Sequence, residues 1–120
     1  MSAPPAEHWK DNPDQHDYPA ALDYLTLLRS PAQAHKLVKA LQKAKITHRK
    51  AKDILRASGL ALLPEDNIYV ARDLGKIQKG EQLSPVLLVR GQPLLVADGY
   101  HRVCASYWID ENADIPCRLV

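Results

Sequence analysis

Two aliphatic tetrads, Val86-Leu87-Leu88-Val89 and Leu94-Leu95-Val96-Ala97, joined by Arg90-Gly91-Gln92-Pro93, constrain the fold of this chain more than any other feature. Apolar runs this short, without polar alternation, read as strands buried on both faces, and the Gly and Pro between them make the pair a β-hairpin. Asp98-Gly99 closes the second strand, and residues 100–109 open a helix directly from it. Residues 112–114 read as a turn and 115–120 as a last strand.

Before the hairpin the pattern is helical. From Asp17-Tyr18-Pro19, the residues Leu22, Leu25 and Leu28 recur at helical spacing. Ser30-Pro31 places a capping residue and an N1 proline ahead of Ala34, Leu37, Val38 and Leu41, a single apolar stripe. Thr47 caps a third expected helix carrying Ala51, Ile54 and Leu55, which stops at Gly59. Residues 19–58 are therefore expected to be three short helices. Beyond the turn Pro64-Glu65-Asp66-Asn67, Ile68-Tyr69-Val70-Ala71 alternates as a short strand, and residues 73–79 make one helical turn before Gly80. The sum is an α+β domain. It has a small mixed sheet with a β-hairpin and a strand-helix-strand unit, crossing right-handed if its strands are parallel. A three-helix extension over residues 18–63 precedes it.

At 120 residues there is room for one core, so residues 18–120 are read as one domain. Residues 1–17, with three prolines and no periodicity, read as a flexible tail in which His8 and His16 are not spaced as ligands. Phe is absent, so the core must be mainly aliphatic. No apolar run approaches the roughly 20 residues that span a bilayer. The polar N-terminus is not a secretory signal, and Cys104 and Cys117 make neither a disulfide scaffold nor a Cys-x-x-Cys motif. A cytoplasmic protein with no membrane partner is expected.

The net charge of +2 conceals a segregation: five acids against one base in residues 1–28, then nine bases against one acid in residues 29–56. Such a block either attracts polyanions or forms solvated helix faces. Lys43, Lys45, Arg49, Lys50 and Lys52 are the candidate nucleic-acid contacts, on helices over 32–44 and 48–57 paired like a helix-turn-helix. His35 and His48 lie among lysines as solvated side chains.

The one constellation with chemistry is Asp98-Gly99-Tyr100-His101-Arg102. A helix N-terminus leaves amides unpaired and carries partial positive charge, which suits an anion. Gly99 permits close approach, Arg102 offers a planar fork for phosphate, and His101 offers a donor or a proton carrier. Gly99, Tyr100, His101 and Arg102 are the candidate phosphate-binding residues, with His101 and Asp98 the candidate catalytic pair. Asp98 has two readings: an N-cap that competes with the anion for the amides, or an outward carboxylate that holds Mg²⁺ or orients a nucleophile.

Leu83-Ser84-Pro85-Val86-Leu87-Leu88-Val89, the strand ending in Asp98-Gly99-Tyr100-His101-Arg102, and Ile115-Pro116-Cys117-Arg118 together resemble the ParB/sulfiredoxin superfamily, including its ParB-like nuclease domains, over about residues 67–120. That resemblance implies a nucleotide, CTP or ATP, held by its phosphates at this junction with Mg²⁺. Tyr100 stands where sulfiredoxins have their catalytic Cys, which argues against that activity, and the buried-type Cys104 needs no redox role. The partition proteins carry Gly-Glu-Arg-Arg and a DNA-binding domain after it, whereas this chain ends at Val120. The free-serine kinases, with Asp-Gly-His-x-Arg, have a catalytic acid elsewhere, and Asp73 and Glu81 are the nearest upstream acids here.

Three functions remain open from the sequence: a nucleotide-dependent phosphohydrolase or phosphotransferase (rather than a nuclease), a DNA-binding module, or a non-catalytic regulatory protein.

Overall fold

A four-stranded mixed sheet in the order β1-β4-β2-β3 organises the chain, in a computed structural model that describes residues 8–120. The elements are α1 (Asp17–Leu25), α2 (Pro31–Lys43), β1 (Ile46–Lys50), α3 (Ala51–Ser58), α4 (Ile68–Gln78), β2 (Val86–Val89), β3 (Leu95–Asp98), α5 (Tyr100–Ile109) and β4 (Asp114–Leu119). The class is α+β, and β2 and β3 pair antiparallel as the hairpin. No helix among the described residues is long and apolar enough to cross a membrane.

Helices cover the sheet on both faces. Helices α1 and α2 pack Tyr18, Leu25, Val38 and Leu41 onto Leu87, Val89 and Ala97. Helices α3, α4 and α5 pack Ile54, Val70, Val103 and Cys104 onto Val86, Leu88, Val96 and Ile115. Successive residues of a strand point to opposite faces, so every residue of β2 enters one core or the other, and its sequence shows no alternation. Strand β4 lies between β1 and β2 yet contains Pro116. The missing N–H costs no ladder bond there, because the parallel register with β2 begins one residue later, at Val86 opposite Cys117.

Four expectations need correction. The third helix does not start near Thr47: Ile46–Lys50 is strand β1, antiparallel to β4, and α3 begins only at Ala51. Residues 19–58 are thus helix, helix, strand, helix, and the helix-turn-helix pair does not exist. Ile68-Tyr69-Val70-Ala71 is not a strand but the first turn of α4. Its start is fixed by the Asn67 side chain, which accepts from the Tyr69 and Val70 amides at 3.0 and 3.2 Å. The buried residues Val70 and Asp73, with Leu74 and Ile77, follow helical spacing. In the strand-helix-strand unit, β3 and β4 are not neighbours. Since β2 is antiparallel to β3 and parallel to β4, they run in opposite directions, and the right-handed crossover rule does not apply. Finally, residues 8–17 are packed rather than tail. Trp9 is buried and bridges to Leu83, with Lys10 N–H donating to Leu83 O at 2.8 Å and Leu83 N–H to His8 O at 2.7 Å. Residues 1–7 of the expected tail lie outside the described residues.

Candidate anion-binding site

Strand β3 hands over to α5 through Gly99, at φ +113°. A Cβ there would lie 2.4 Å from Val86 Cγ1, so both conformation and contact require glycine. Gly99 is the N-cap and offers no side-chain acceptor. The first bond inside α5 runs from Val103 N–H to Gly99 O at 3.0 Å. The amides of Tyr100, His101 and Arg102 therefore precede the helical ladder, and no acceptor meets them among the described residues. Asp98 does not cap them, so the competition between Asp98 and an anion does not arise.

At this helix start lies a cavity of about 180 Å³ between α4 and α5, lined by all five residues from Asp98 to Arg102. Of its other wall, the sequence alone singles out only Asp73, as a nearby acid. Tyr69, Arg72, Asp73 and Lys76 stand on one face of α4. Their spacing of i, i+3, i+4, i+7 marks a helix face in the sequence, but only once residues 68–78 are read as helical. The rings of Tyr69 and His101 have centroids 4.9 Å apart, and Arg72 Cζ lies 5.2 Å from the Tyr69 ring centre. Asp73 is buried, and that burial raises its pKa against the pull of Arg102, Lys76, His101 and Arg72. Glu81 is exposed and not part of the wall.

Arg102 is not a free fork. Its Nη2 donates to Asp98 at 3.1 Å, lies 3.6 Å from Asp17 Oδ2, and reaches Pro85 O at 3.4 Å. Asp17, in the first turn of α1, is itself buried, and it accepts from the Ser84 hydroxyl, whose oxygen accepts the Asp14 N–H at 2.9 Å. Burial raises the Asp98 pKa, while the Arg102 charge opposes the shift. An Mg²⁺ on Asp98 would stand beside this guanidinium, so the residues present do not fit a metal there. Asp14, His16 and Asp17 bring ligand-type atoms within 4.8 Å of one another. Yet Asp14 pairs with Lys10 at 2.8 Å, and Asp17 is engaged by Ser84 and Arg102.

The remaining candidates separate. The Tyr100 hydroxyl donates to Ala61 O, and Trp108 Nε1 donates to Leu63 O at 2.8 Å, so both rings tie the α3–α4 connection to α5. Both thiols are buried, which pushes Cys117 up to about 11 and raises Cys104. His35 Nδ1 is bonded to Pro31 O at 2.8 Å. Lys43 ends α2, Lys45 follows it, Arg49 and Lys50 lie on β1, and Lys52 on α3, all remote from the cavity wall. No family model matches the chain, and no curated protein or solved structure is significantly similar to it.

Proposed function

We propose that this chain binds the phosphate groups of a nucleotide at the start of α5. The observation that carries the reading is that the start of α5, with three unpaired amides, lines one cavity with Arg72, Lys76 and His101. Helix-end amides, two permanent cations and an imidazole donor together supply what a phosphate oxygen needs. The similarity of residues 67–120 to the ParB/sulfiredoxin superfamily favours CTP or ATP, with Mg²⁺ arriving on the nucleotide. Arg102 holds the helix start in place from behind and is itself neutralised by Asp98 and Asp17. For phosphoryl transfer, Asp73 is the acid placed to exchange a proton, because it shares the cavity and burial favours its protonated form.

Thermal unfolding in the presence of ATP, CTP or pyrophosphate, with and without Mg²⁺, tests the reading. A ligand at roughly 100 times its dissociation constant adds about 2.7 kcal/mol, visible in a small domain. Stabilisation by a nucleotide that is lost in Arg72→Ala/Lys76→Ala supports the site; no response to any of these ligands removes it.

A further inference from the structure

Of the basic residues, Arg49 and Lys50 lie on β1, the edge strand of the sheet, and Lys45 and Lys52 flank it in the chain. Strand β1 pairs with β4 alone. Ala51 N–H donates to Ala113 O at 3.0 Å, and that register makes Thr47 and Arg49 the ladder-bonded residues. The N–H and C=O groups of Ile46 and His48 consequently point outward. Among the described residues no further backbone bond meets them, and His48, Arg49 and Lys50 are exposed.

Between α3 and the sheet face, spanning β1 to the start of β3, lies a cavity of about 190 Å³ lined by Ile54, Leu88, Leu94 and Leu119, with Arg49, Asp53 and Arg90 among its polar residues. A second hollow, of about 260 Å³, adjoins it through Asp53 and is formed with Lys50, Lys52 and Arg56. Arg56 contacts Asp53 at 3.5 Å. Among the described residues, Arg49, Lys50, Lys52 and Arg90 have no ion-pair partner.

We propose that this edge receives an extended acidic segment of another protein, which adds to β1 as a further strand. Its backbone pairs with Ile46 and His48, and its carboxylates meet Arg49, Lys50 and Lys52. A free edge is a template for a strand from any source, and basic side chains select among sources. They repel a second copy of this strand and attract an acidic one. The outward N–H and C=O groups of Ile46 and His48 favour a peptide over nucleic acid. They pair with a second extended backbone, whereas a phosphate backbone brings acceptors only, and no aromatic ring lines either hollow for a base to stack on.

The test titrates the full chain with a fluorescent peptide of alternating Glu and Val, its Lys/Val counterpart, and a DNA duplex, by anisotropy and amide NMR. The Glu/Val peptide is expected to bind and shift the His48 and Lys50 amides, while the Lys/Val peptide does not bind. Arg49→Glu should weaken binding about tenfold or more. His48→Pro removes one outward donor without touching a ladder bond to β4, and it should also weaken binding while circular dichroism shows the fold retained. If His48→Pro unfolds, the arginine variant alone decides. Failure of the Glu/Val peptide to bind, affinity unchanged in the arginine variant, or DNA binding through Arg49 in place of the peptide would overturn the proposal.

Discussion

Arg102 donates to Asp98 across 3.1 Å, from the first turn of α5 back to the last residue of β3. Asp17 of α1 stands 3.6 Å from the same nitrogen, so one guanidinium serves two carboxylates and joins three elements at the α4–α5 cavity. Arg102 acts as a strut.

Removing the strut should unfold the domain more readily. Arg102→Ala leaves the carboxylates of Asp17 and Asp98, 4% and 20% exposed, without their shared partner. Breaking such a group costs roughly 3 kcal/mol. Urea unfolding of the variant should show that loss, and Arg102→Lys should recover part of it. A variant as stable as the parent would show that the strut carries no load.

The two glycines Gly99 and Gly75 should respond in opposite directions to alanine. At Gly99 a methyl meets Val86 in a left-handed backbone conformation, and the cost is on the order of 1–3 kcal/mol. At Gly75, inside α4, a methyl has nothing within 4 Å, and the better helix propensity of alanine adds up to about 1 kcal/mol. Thermal unfolding of both variants checks the pair.

Asp73 makes the stability fall as pH rises. Its pKa is raised in the folded state above the ordinary 3.8, so from that value upward to the folded one the native chain retains a proton that the unfolded chain releases. Asp73→Asn should therefore be at least as stable as the parent at neutral pH. The advantage should disappear below pH 3.8, where both states of the parent are protonated. Urea titrations across this range measure it. An advantage that is the same at every pH would assign the effect to packing instead. Removing the charge should also tighten phosphate binding, since a carboxylate in the cavity repels it.

Lys76→Ala and Arg72→Ala should separate binding from folding. Both residues are exposed on α4 and border the cavity. Loss of one charged contact to a phosphate is worth about 1.5 kcal/mol, or roughly tenfold in affinity. Calorimetric titration with a nucleotide should show weakening at each position with the unfolding midpoint little changed. Equal affinities for parent and variants would place the phosphate elsewhere.

What could be read along the chain was set by near neighbours. The capping box of Ser30 with Gln33, the glycine at the β3–α5 turn and the aliphatic tetrads of the hairpin each depend on a few adjacent residues. Residues 98–102 were visible as a candidate site for the same reason. Residues 68–71 misled because four residues satisfy a strand's alternation and a helix's first turn equally well, and only the continuation to Ile77 separates them.

The sequence by itself determined the hairpin, the glycine turn and the helix start that together form one side of the α4–α5 cavity, because their causes are local sterics and hydrogen bonding. Only the tertiary structure decided that Ile46–Lys50 is a strand, since its partner is the far end of the chain at Asp114–Leu119. It alone decided that Arg102 faces Asp17 and Asp98, and that α4 closes the cavity with Arg72 and Lys76. A charge takes whichever partner the packed chain brings within reach, and sequence spacing does not record that distance.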